Sequence, residues 1–252
     1  MKRIVRVLVG LVMAGLVMAA AIVGLGLYNV SARQGHLPGV TWLMHTTFRQ
    51  SVRLRAPGKD QVPEDISNAD RIALGAQHFE TACAFCHAAP GQRRSATARA
   101  MNPAPPHITD AVDGWEPQHM FWIVREGVKM TGMPYWPATG RDDEVWSVVA
   151  YLDALRDGNA NDQATVPNQS GEMPTCTRCH GNDGRSSNSF IPRLDILTKA
   201  QISEALLQYR DGTRSSGFMA EAARDLTGVQ IDKLAEAFGR QAAVQTDLSE
   251  AD

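Results

Sequence analysis

The sequence has few features of several common protein classes. Aromatic residues make up only 6% of the 252 residues and the formal net charge is −2, so a strongly basic, nucleic-acid-binding surface is not indicated and nucleic acid is not expected as a partner. Four cysteines are too few for a disulfide scaffold of this length. With 44% hydrophobic and 21% charged residues, the composition is that of a folded protein, long enough for one large domain or two small ones.

A long uncharged stretch begins close to the amino terminus. Residues 7–28 are mostly aliphatic, and as a helix these 22 residues would cross a hydrocarbon core about 30 Å thick. The stretch is preceded by three basic residues, Lys2, Arg3 and Arg6, which favour a cytoplasmic amino terminus. We therefore predict a single-pass anchor in the cytoplasmic (inner) membrane within residues 1–30, with the rest of the chain facing the periplasm.

A cleaved signal peptide is the alternative, because residues 30–32 read Val-Ser-Ala, a small-residue pattern that a signal peptidase accepts. The part beyond residue 30 carries 22 basic and 27 acidic residues, a formal charge of −5, which favours a partner with positive surface. Residues 31–65 interleave apolar side chains with arginines. Two interpretations of this juxtamembrane segment stay open: it lies at the lipid headgroups, or it is a linker that packs on the first domain.

All four cysteines occur in two copies of the motif Cys-x-x-Cys-His, at residues 83–87 and 176–180. Cysteines three apart lie on one face of a helical turn, so both thiols can bond to the vinyl groups of one porphyrin edge while the next residue reaches the iron. The motif predicts two covalently bound haem c groups. The predicted attachment residues are Cys83, Cys86, Cys176 and Cys179, and the predicted proximal ligands are His87 and His180.

Three other uses of the cysteines are less consistent with their spacing. The paired cysteines of a zinc ribbon are usually separated by about 15 to 20 residues, whereas about 90 separate these pairs, and zinc does not explain a histidine after each pair. A thioredoxin-like dithiol needs a strand-helix-strand pattern around it. Disulfides within such short loops would contribute little loop-closure entropy.

Each predicted haem iron needs a sixth ligand. Beyond His180 the chain contains one methionine, no histidine and no cysteine, so elimination predicts Met219 for the second haem. In the first half we favour Met133, because the flanking glycine and proline mark a loop that can project one side chain inward. The other candidates are Met101, His107, His119, Met120 and Met130, with Met130 the runner-up. Histidine–methionine ligation fills the sixth coordination position of the iron and raises its reduction potential relative to ligation by two histidines. We therefore predict no catalytic residue.

These motifs resemble those of the class I cytochromes c, and in particular their membrane-anchored dihaem members, over residues 66–240. The resemblance implies an all-α fold in which an N-terminal transmembrane helix is followed by two tandem class I cytochrome c domains. The expected divisions are an anchor (1–30), a juxtamembrane segment (31–65), cytochrome c domain 1 (66–157), a linker (158–171), cytochrome c domain 2 (172–240) and a tail (241–252).

The resemblance also assigns roles in the first half. Gly75 and Phe79 look like the pair that packs against the carboxy-terminal helix of such domains, here with the apolar stripe Val145, Val148, Val149 and Leu152. Residues 127–134 are similar to the methionine loop of the family, which supports Met133. Pro106 and Pro192 resemble the proline whose carbonyl accepts a hydrogen bond from the proximal histidine.

The second half keeps less of the family pattern. Thr198 with Gln201, and Thr227 with Gln230, predict capping boxes at the start of two helices. The usual amino-terminal helix is missing before Cys176, so this domain is expected to be truncated, more exposed at its haem edge, or dependent on the first domain for packing. His78, on the first helix of the first domain, is expected to face solvent.

The resemblance implies a relay of single electrons rather than an enzyme. Its expected redox partners are a dehydrogenase or quinol-oxidising complex as donor and an oxidase as acceptor, with the membrane contacted through the amino-terminal helix. Two alternatives stay open. One is a dihaem oxidoreductase, peroxidase-like or sulfur-compound oxidising, which needs an iron open to substrate. The other is a cytochrome subunit of a larger membrane complex.

Overall fold

The computed structural model describes residues 2–159 and 174–239, and within these ranges every regular element is helical. Most of the expected linker and the whole expected tail lie outside these ranges. The α-helices are α1 (Lys2–Gly24), α2 (Val40–Arg55), α3 (Ala69–His78), α4 (Ala84–His87), α5 (Ala96–Arg99), α6 (Ile108–Ala111), α7 (Pro117–Glu126), α8 (Asp142–Arg156), α9 (Pro174–His180), α10 (Lys199–Arg210), α11 (Gly217–Ala223) and α12 (Gly228–Phe238). A 3₁₀ turn spans Lys59–Gln61 and a π-helical turn spans Phe79–Cys83.

Helix α1 stands apart from the rest of the described chain. None of its residues is buried, and its most apolar window has a mean hydropathy of 2.6. By length and composition it could cross a membrane, and an amino-terminal signal sequence has the same properties. The helix ends at Gly24, four residues before the end of the uncharged stretch.

Helix α2 packs on the first half through its carboxyl end, against α7. Val52 is fully buried, and the ring of Phe48 meets the edge of Trp115 at a centroid distance of 5.8 Å. This end of the juxtamembrane segment therefore packs as the linker interpretation predicts. The amino-terminal end of α2 leaves Trp42 and Leu43 exposed.

The first hydrophobic core is built around the crossing of α3 and α8. Gly75 permits this crossing, because a Cβ at this position would lie 1.9 Å from the carbonyl oxygen of Ser147. Phe79 is buried in the same core, 5.4 Å from Tyr151 between ring centroids. The stripe predicted on α8 is buried: Val145, Val148, Val149 and Leu152. The packing of the glycine–aromatic pair against α8 is thus as expected.

A second, smaller core joins α10 and α12. Both helices begin with the predicted capping boxes, in which each threonine side chain accepts from the backbone of the glutamine three residues later and the glutamine side chain accepts in return. The side chains that they bury are Ile202, Leu206, Ile231, Leu234, Ala235 and Phe238.

The second half, residues 174–239, packs against α3 of the first half. The Asp70 carboxylate accepts from both the backbone N–H and the hydroxyl of Ser189, at 2.9 and 2.7 Å. At the other end of α3, the Cys179 thiol donates to the Gln77 side chain at 2.8 Å. These contacts place α3 beside the second cysteine motif, and the segment in which the sequence predicts no helix before Cys176 lies largely outside the described residues.

His78 is the clearest departure from expectation in this region. Instead of facing solvent, its ring lies 4.8 Å from Trp136 and 4.3 Å from Phe218 of the second half, between ring centroids. Burial lowers its pKa to about 4. The sequence prediction was wrong because the element that covers His78 is 140 residues further along the chain.

Replacing Gly75 with alanine should destabilise the protein by about 1–3 kcal/mol, because the new methyl group would overlap a backbone carbonyl that no rotamer change can move. Urea unfolding of the full chain in detergent would measure the change. Gly228→Ala is the matched control, since its Cβ would meet nothing within 4 Å and its φ is not positive. An equally stable Gly75→Ala variant would contradict the close crossing.

Acidification should weaken the protein through His78. The unfolded chain has a histidine pKa near 6.5, so between pH 6.5 and about 4 it binds more protons than the folded chain, and the free energy of unfolding falls as pH falls. The full effect is at most about 3 kcal/mol. Urea titrations at several pH values would measure it.

The control for this pH effect is His78→Phe, which keeps an aromatic ring between Trp136 and Phe218. Its unfolding free energy should depend less on pH over the same interval. An identical pH dependence in the variant and the parent would show that His78 is not the group responsible.

Candidate haem sites

The first cysteine motif lies where α3 breaks. The π-helical turn Phe79–Cys83 carries the first cysteine, and α4 carries the second cysteine and the histidine. Cys83 packs against the first core, and burial raises the pKa of its thiol to about 11. The thiol is therefore protonated at neutral pH, unlike the thiolate of a redox-active dithiol.

The second cysteine motif lies on α9. Burial raises the pKa of the Cys176 and Cys179 thiols. Cys176 packs against the second core, and so does Met219 from α11. The structure thus brings the first cysteine of this motif and the predicted sixth ligand to the border of one hydrophobic cluster.

The geometry does not favour the zinc or disulfide alternatives. All four cysteines are free thiols. Among residues 2–159 and 174–239, no three or more His, Cys, Asp or Glu side chains come close enough together to hold a metal ion. A zinc ribbon requires all four thiolates at one point, whereas the two pairs border two different cores.

The two motif histidines have the same hydrogen-bond arrangement. Nδ1 of His87 lies 2.9 Å from the carbonyl oxygen of Pro106, and Nδ1 of His180 lies 3.1 Å from the carbonyl oxygen of Pro192. A carbonyl oxygen can only accept, so Nδ1 carries the proton in each ring. Burial lowers the pKa of both histidines, which keeps the rings neutral at pH 7.

This arrangement fits the haem group that the motifs imply. A neutral imidazole with its proton on Nδ1 has a lone pair on Nε2, and that lone pair is what an iron ligand requires. Each motif also provides two thiols one helical turn apart, with apolar side chains packed against one of them. The donor atoms, their protonation and their surroundings therefore agree with covalent attachment and axial ligation.

The loop that carries Met133 folds back on itself. The backbone N–H of Val128 donates to the carbonyl of Met133 at 3.1 Å, and the Thr131 hydroxyl accepts from the Met133 N–H at 3.0 Å. Gly127 makes the return possible, because it has a φ of +65° and a Cβ there would lie 2.5 Å from the backbone of Pro134. Met133 itself is partly buried.

The competing candidates in the first half have other surroundings. Met130 is 81% exposed, with a φ of +62°, and Met120 is buried inside the first core. The His119 ring caps α7 by accepting from the Glu116 N–H at 3.2 Å. His107 similarly caps α6, accepting from Thr109 N–H. Met120, His119 and His107 thus have structural roles and Met130 is exposed, so Met133 stays the favoured prediction.

Met101 has an unexpected position. Its terminal methyl group lies so close to Gly132 that a Cβ on that glycine would come within 2.2 Å of it. Met101 therefore packs against Gly132, the residue before Met133, although 31 positions separate Met101 from Gly132 in sequence. Nothing in the sequence pattern indicates this contact, which depends on how the loop folds back.

Met219 occupies the first turn of α11. Its backbone N–H donates to the hydroxyl of Ser216, the residue that caps this helix, at 3.0 Å. Ser216 in turn bonds to Glu144, a buried residue of α8 that the sequence analysis did not identify. Acidic residues are common in the first turn of a helix, so the sequence offered no signal that this one is different.

Comparison with known proteins supports a c-type cytochrome. The family described as cytochrome C oxidase, cbb3-type, subunit III matches residues 70–152, about a third of the chain. The cytochrome subunit of sulfide dehydrogenase from Chlorobaculum tepidum is 40% identical over 65 residues, which cover 26% of this chain and 58% of that protein. Cytochrome c-552 from Acidithiobacillus ferridurans is 31% identical over 80 residues, covering 32% of this chain and 34% of that protein.

No solved structure matches the chain. The matched segments span from about a third to just over half of the length of the curated relatives. The family match includes the first cysteine motif and ends before the second, which starts at Cys176. The comparisons thus support covalently bound haem c and electron transfer, and the number of haems is a separate question.

Replacing Met133 or Met219 with alanine should leave haem attached and open one iron to carbon monoxide. The reason is that a methionine sulfur is the predicted sixth ligand, while attachment depends on the cysteines. Each variant should bind about one carbon monoxide per chain in the reduced state, measured by difference spectroscopy. Met130→Ala is the control for the first haem. If Met130→Ala binds carbon monoxide and Met133→Ala does not, Met130 and not Met133 is the sixth ligand of that haem.

Proposed function

We propose that this chain is a membrane-anchored dihaem c-type cytochrome that relays single electrons on the periplasmic side of the cytoplasmic membrane. One observation supports it above the others: both cysteine motifs have a neutral histidine whose Nδ1–H donates to a proline carbonyl further along the chain. The second of these motifs lies outside the family match, so the repeated arrangement is an independent argument for a second haem.

The residues around each haem have distinct roles in this proposal. A bound haem c supplies a one-electron iron couple. In the first half, Cys83 and Cys86 would hold the group covalently, and His87, through Nε2, and Met133 would be the ligands of its iron. The carbonyl of Pro106 fixes the tautomer and the orientation of the His87 ring.

The second half repeats this scheme with its own residues. Cys176 and Cys179 would be the attachment points and His180 and Met219 the iron ligands, while the Pro192 carbonyl orients the His180 ring. With a histidine and a methionine as ligands, the iron would have no open position for a substrate. These features suit electron transfer better than catalysis.

The anchor and the charge determine where partners are expected. Helix α1 spans the cytoplasmic membrane, with its three basic residues on the cytoplasmic side and the haem-bearing halves in the periplasm. The donor is a dehydrogenase or a quinol-oxidising complex and the acceptor is an oxidase. The excess of acidic residues beyond residue 30 favours a basic docking surface on these partners.

One relative favours a second candidate. The protein from Chlorobaculum tepidum is named as the cytochrome subunit of a sulfide dehydrogenase. By analogy, this chain would be the electron-accepting subunit of an oxidoreductase complex, with the substrate chemistry on another polypeptide. Copurification of such a catalytic subunit with the full chain from native membranes would favour this candidate over a free carrier.

Haem content tests the proposal directly. The full chain, produced with haem-attachment machinery and purified in detergent, should contain two covalent haems per chain by the pyridine haemochrome method. Because only the cysteines make covalent bonds, the Cys176→Ala/Cys179→Ala double variant should retain one haem. The parent should bind no carbon monoxide when reduced.

The matched control is the Cys83→Ala/Cys86→Ala double variant, which should also retain one haem. A parent chain with a single haem would contradict the dihaem assignment. Carbon monoxide binding by the parent at neutral pH would reveal an open iron and favour a dihaem enzyme instead.

A further inference from the structure

Glu144 is a buried carboxylate of the first half that binds groups of the second half. Its side chain is 3% exposed. One oxygen, Oε1, accepts from the hydroxyl of Ser216 at 2.5 Å and lies 3.0 Å from an Arg141 guanidinium nitrogen. The other, Oε2, accepts from the backbone N–H of Gly217 at 2.7 Å and from the Trp136 indole N–H at 3.2 Å.

These four donors account for the buried charge. A carboxylate removed from water loses a large hydration free energy, which only charged or well-aligned donors can offset. Each oxygen of Glu144 has two partners, so its acceptor capacity is filled. Two of the four partners belong to the start of α11, in the second half, and their position is therefore tied to a residue of α8.

The contacts of Glu144 hold the first residues of α11 in place. Ser216 caps the helix, and its hydroxyl accepts from the Met219 N–H while donating to Glu144. Gly217 is the first residue of the helix and lies against the Trp136 ring, which a Cβ would approach to 2.9 Å. A helix of only seven residues has little stability of its own, so its placement depends on such contacts.

A neighbouring set of bonds fixes the same segment. The Arg141 guanidinium donates to the carbonyl of Ser215 at 3.0 Å, and the Ser215 hydroxyl donates to the carbonyl of Thr139 at 3.0 Å. Arg141 also pairs with Asp143, whose side chain is exposed and makes no described contact with the second half. The two adjacent acids of α8 therefore differ: only Glu144 reaches α11.

We infer that Glu144 is a positioning residue for the sixth ligand of the second haem: through Ser216 and Gly217, it sets where α11 presents Met219. The inference rests on the proposed function, in which Met219 ligates that iron. The first half then controls the ligation of the second haem and, through ligation, its reduction potential. Without the carboxylate, the sulfur is released from the iron in part of the molecules.

The test compares Glu144→Gln with Asp143→Asn in the full haem-loaded chain. In Glu144→Gln one carboxylate oxygen becomes an NH₂ group, which faces hydrogen-bond donors and cannot accept from them. Asp143→Asn is the control, because Asp143 also pairs with Arg141 but does not contact α11. Glu144→Gln should lose up to about half of the long-wavelength absorption of methionine-bound ferric haem, the share of one of two haems. It should also gain carbon monoxide binding and show a lower potential for one haem, while Asp143→Asn resembles the parent.

Double variants identify which methionine responds. Combined with Met219→Ala, Glu144→Gln should add no carbon monoxide binding beyond one per chain, because the two changes act on one ligand. Combined with Met133→Ala, it should raise binding above one per chain. The reverse pattern would mean that the carboxylate acts through Trp136 on the first methionine loop, and the inference would be wrong.

A second pair of variants protects the test against misfolding. Ser216→Ala removes one hydroxyl and leaves the other donors to Glu144, so it should weaken the Met219 ligation less than Glu144→Gln does. Ser216→Thr keeps the hydroxyl and should have the spectrum of the parent. If Met219→Ala opens no iron, the proposed ligand itself fails. If Met219→Ala opens the iron but neither Glu144→Gln nor Ser216→Ala does, the proposed function stands and Glu144 has no positioning role.

Discussion

The close crossing of α3 and α8 at Gly75 is the contact on which the rest of the structure depends. It brings two backbones together where no other side chain fits, and so fixes α3 relative to α8. The opposite ends of α3 then bind the second half through Asp70 and Gln77. Because α8 carries Glu144, both helices of the crossing contact the second half, and the two halves are held by one rigid pair.

Helix α3 belongs to the first core and also contacts the second half. The core of the second half, among residues 174–239, consists of α10 and α12 with a few partly buried neighbours. The first half adds further contacts to this smaller core, including His78, whose ring packs against Phe218. Deletion of the first half would therefore leave the second cysteine motif without one of its walls.

Local patterns in the sequence predicted the starts of α10 and α12 and the buried face of α8. The two capping boxes and the apolar stripe of α8 depend on residues within one or two helical turns of each other. Such short spacings can be recognised in one amino-acid sequence. His78 and Glu144 were missed because their roles come from partners more than 70 residues away. Ligation by Met133 and Met219 stays a prediction, because it depends on where a haem iron would lie, and the positions of the amino acids alone do not give that.

The packing of α2 on α7 has a consequence for how partners are met. Only the 15 residues between Gly24 and Val40 separate the apolar helix from the packed body, a tether that extends to about 50 Å at most. With α1 in the membrane as proposed, the cytochrome searches a thin layer rather than the whole compartment. The length of the tether then sets the effective concentration of the protein near its membrane-bound partners. At a high effective concentration, low-affinity docking is sufficient, and a low-affinity complex dissociates quickly after each electron transfer.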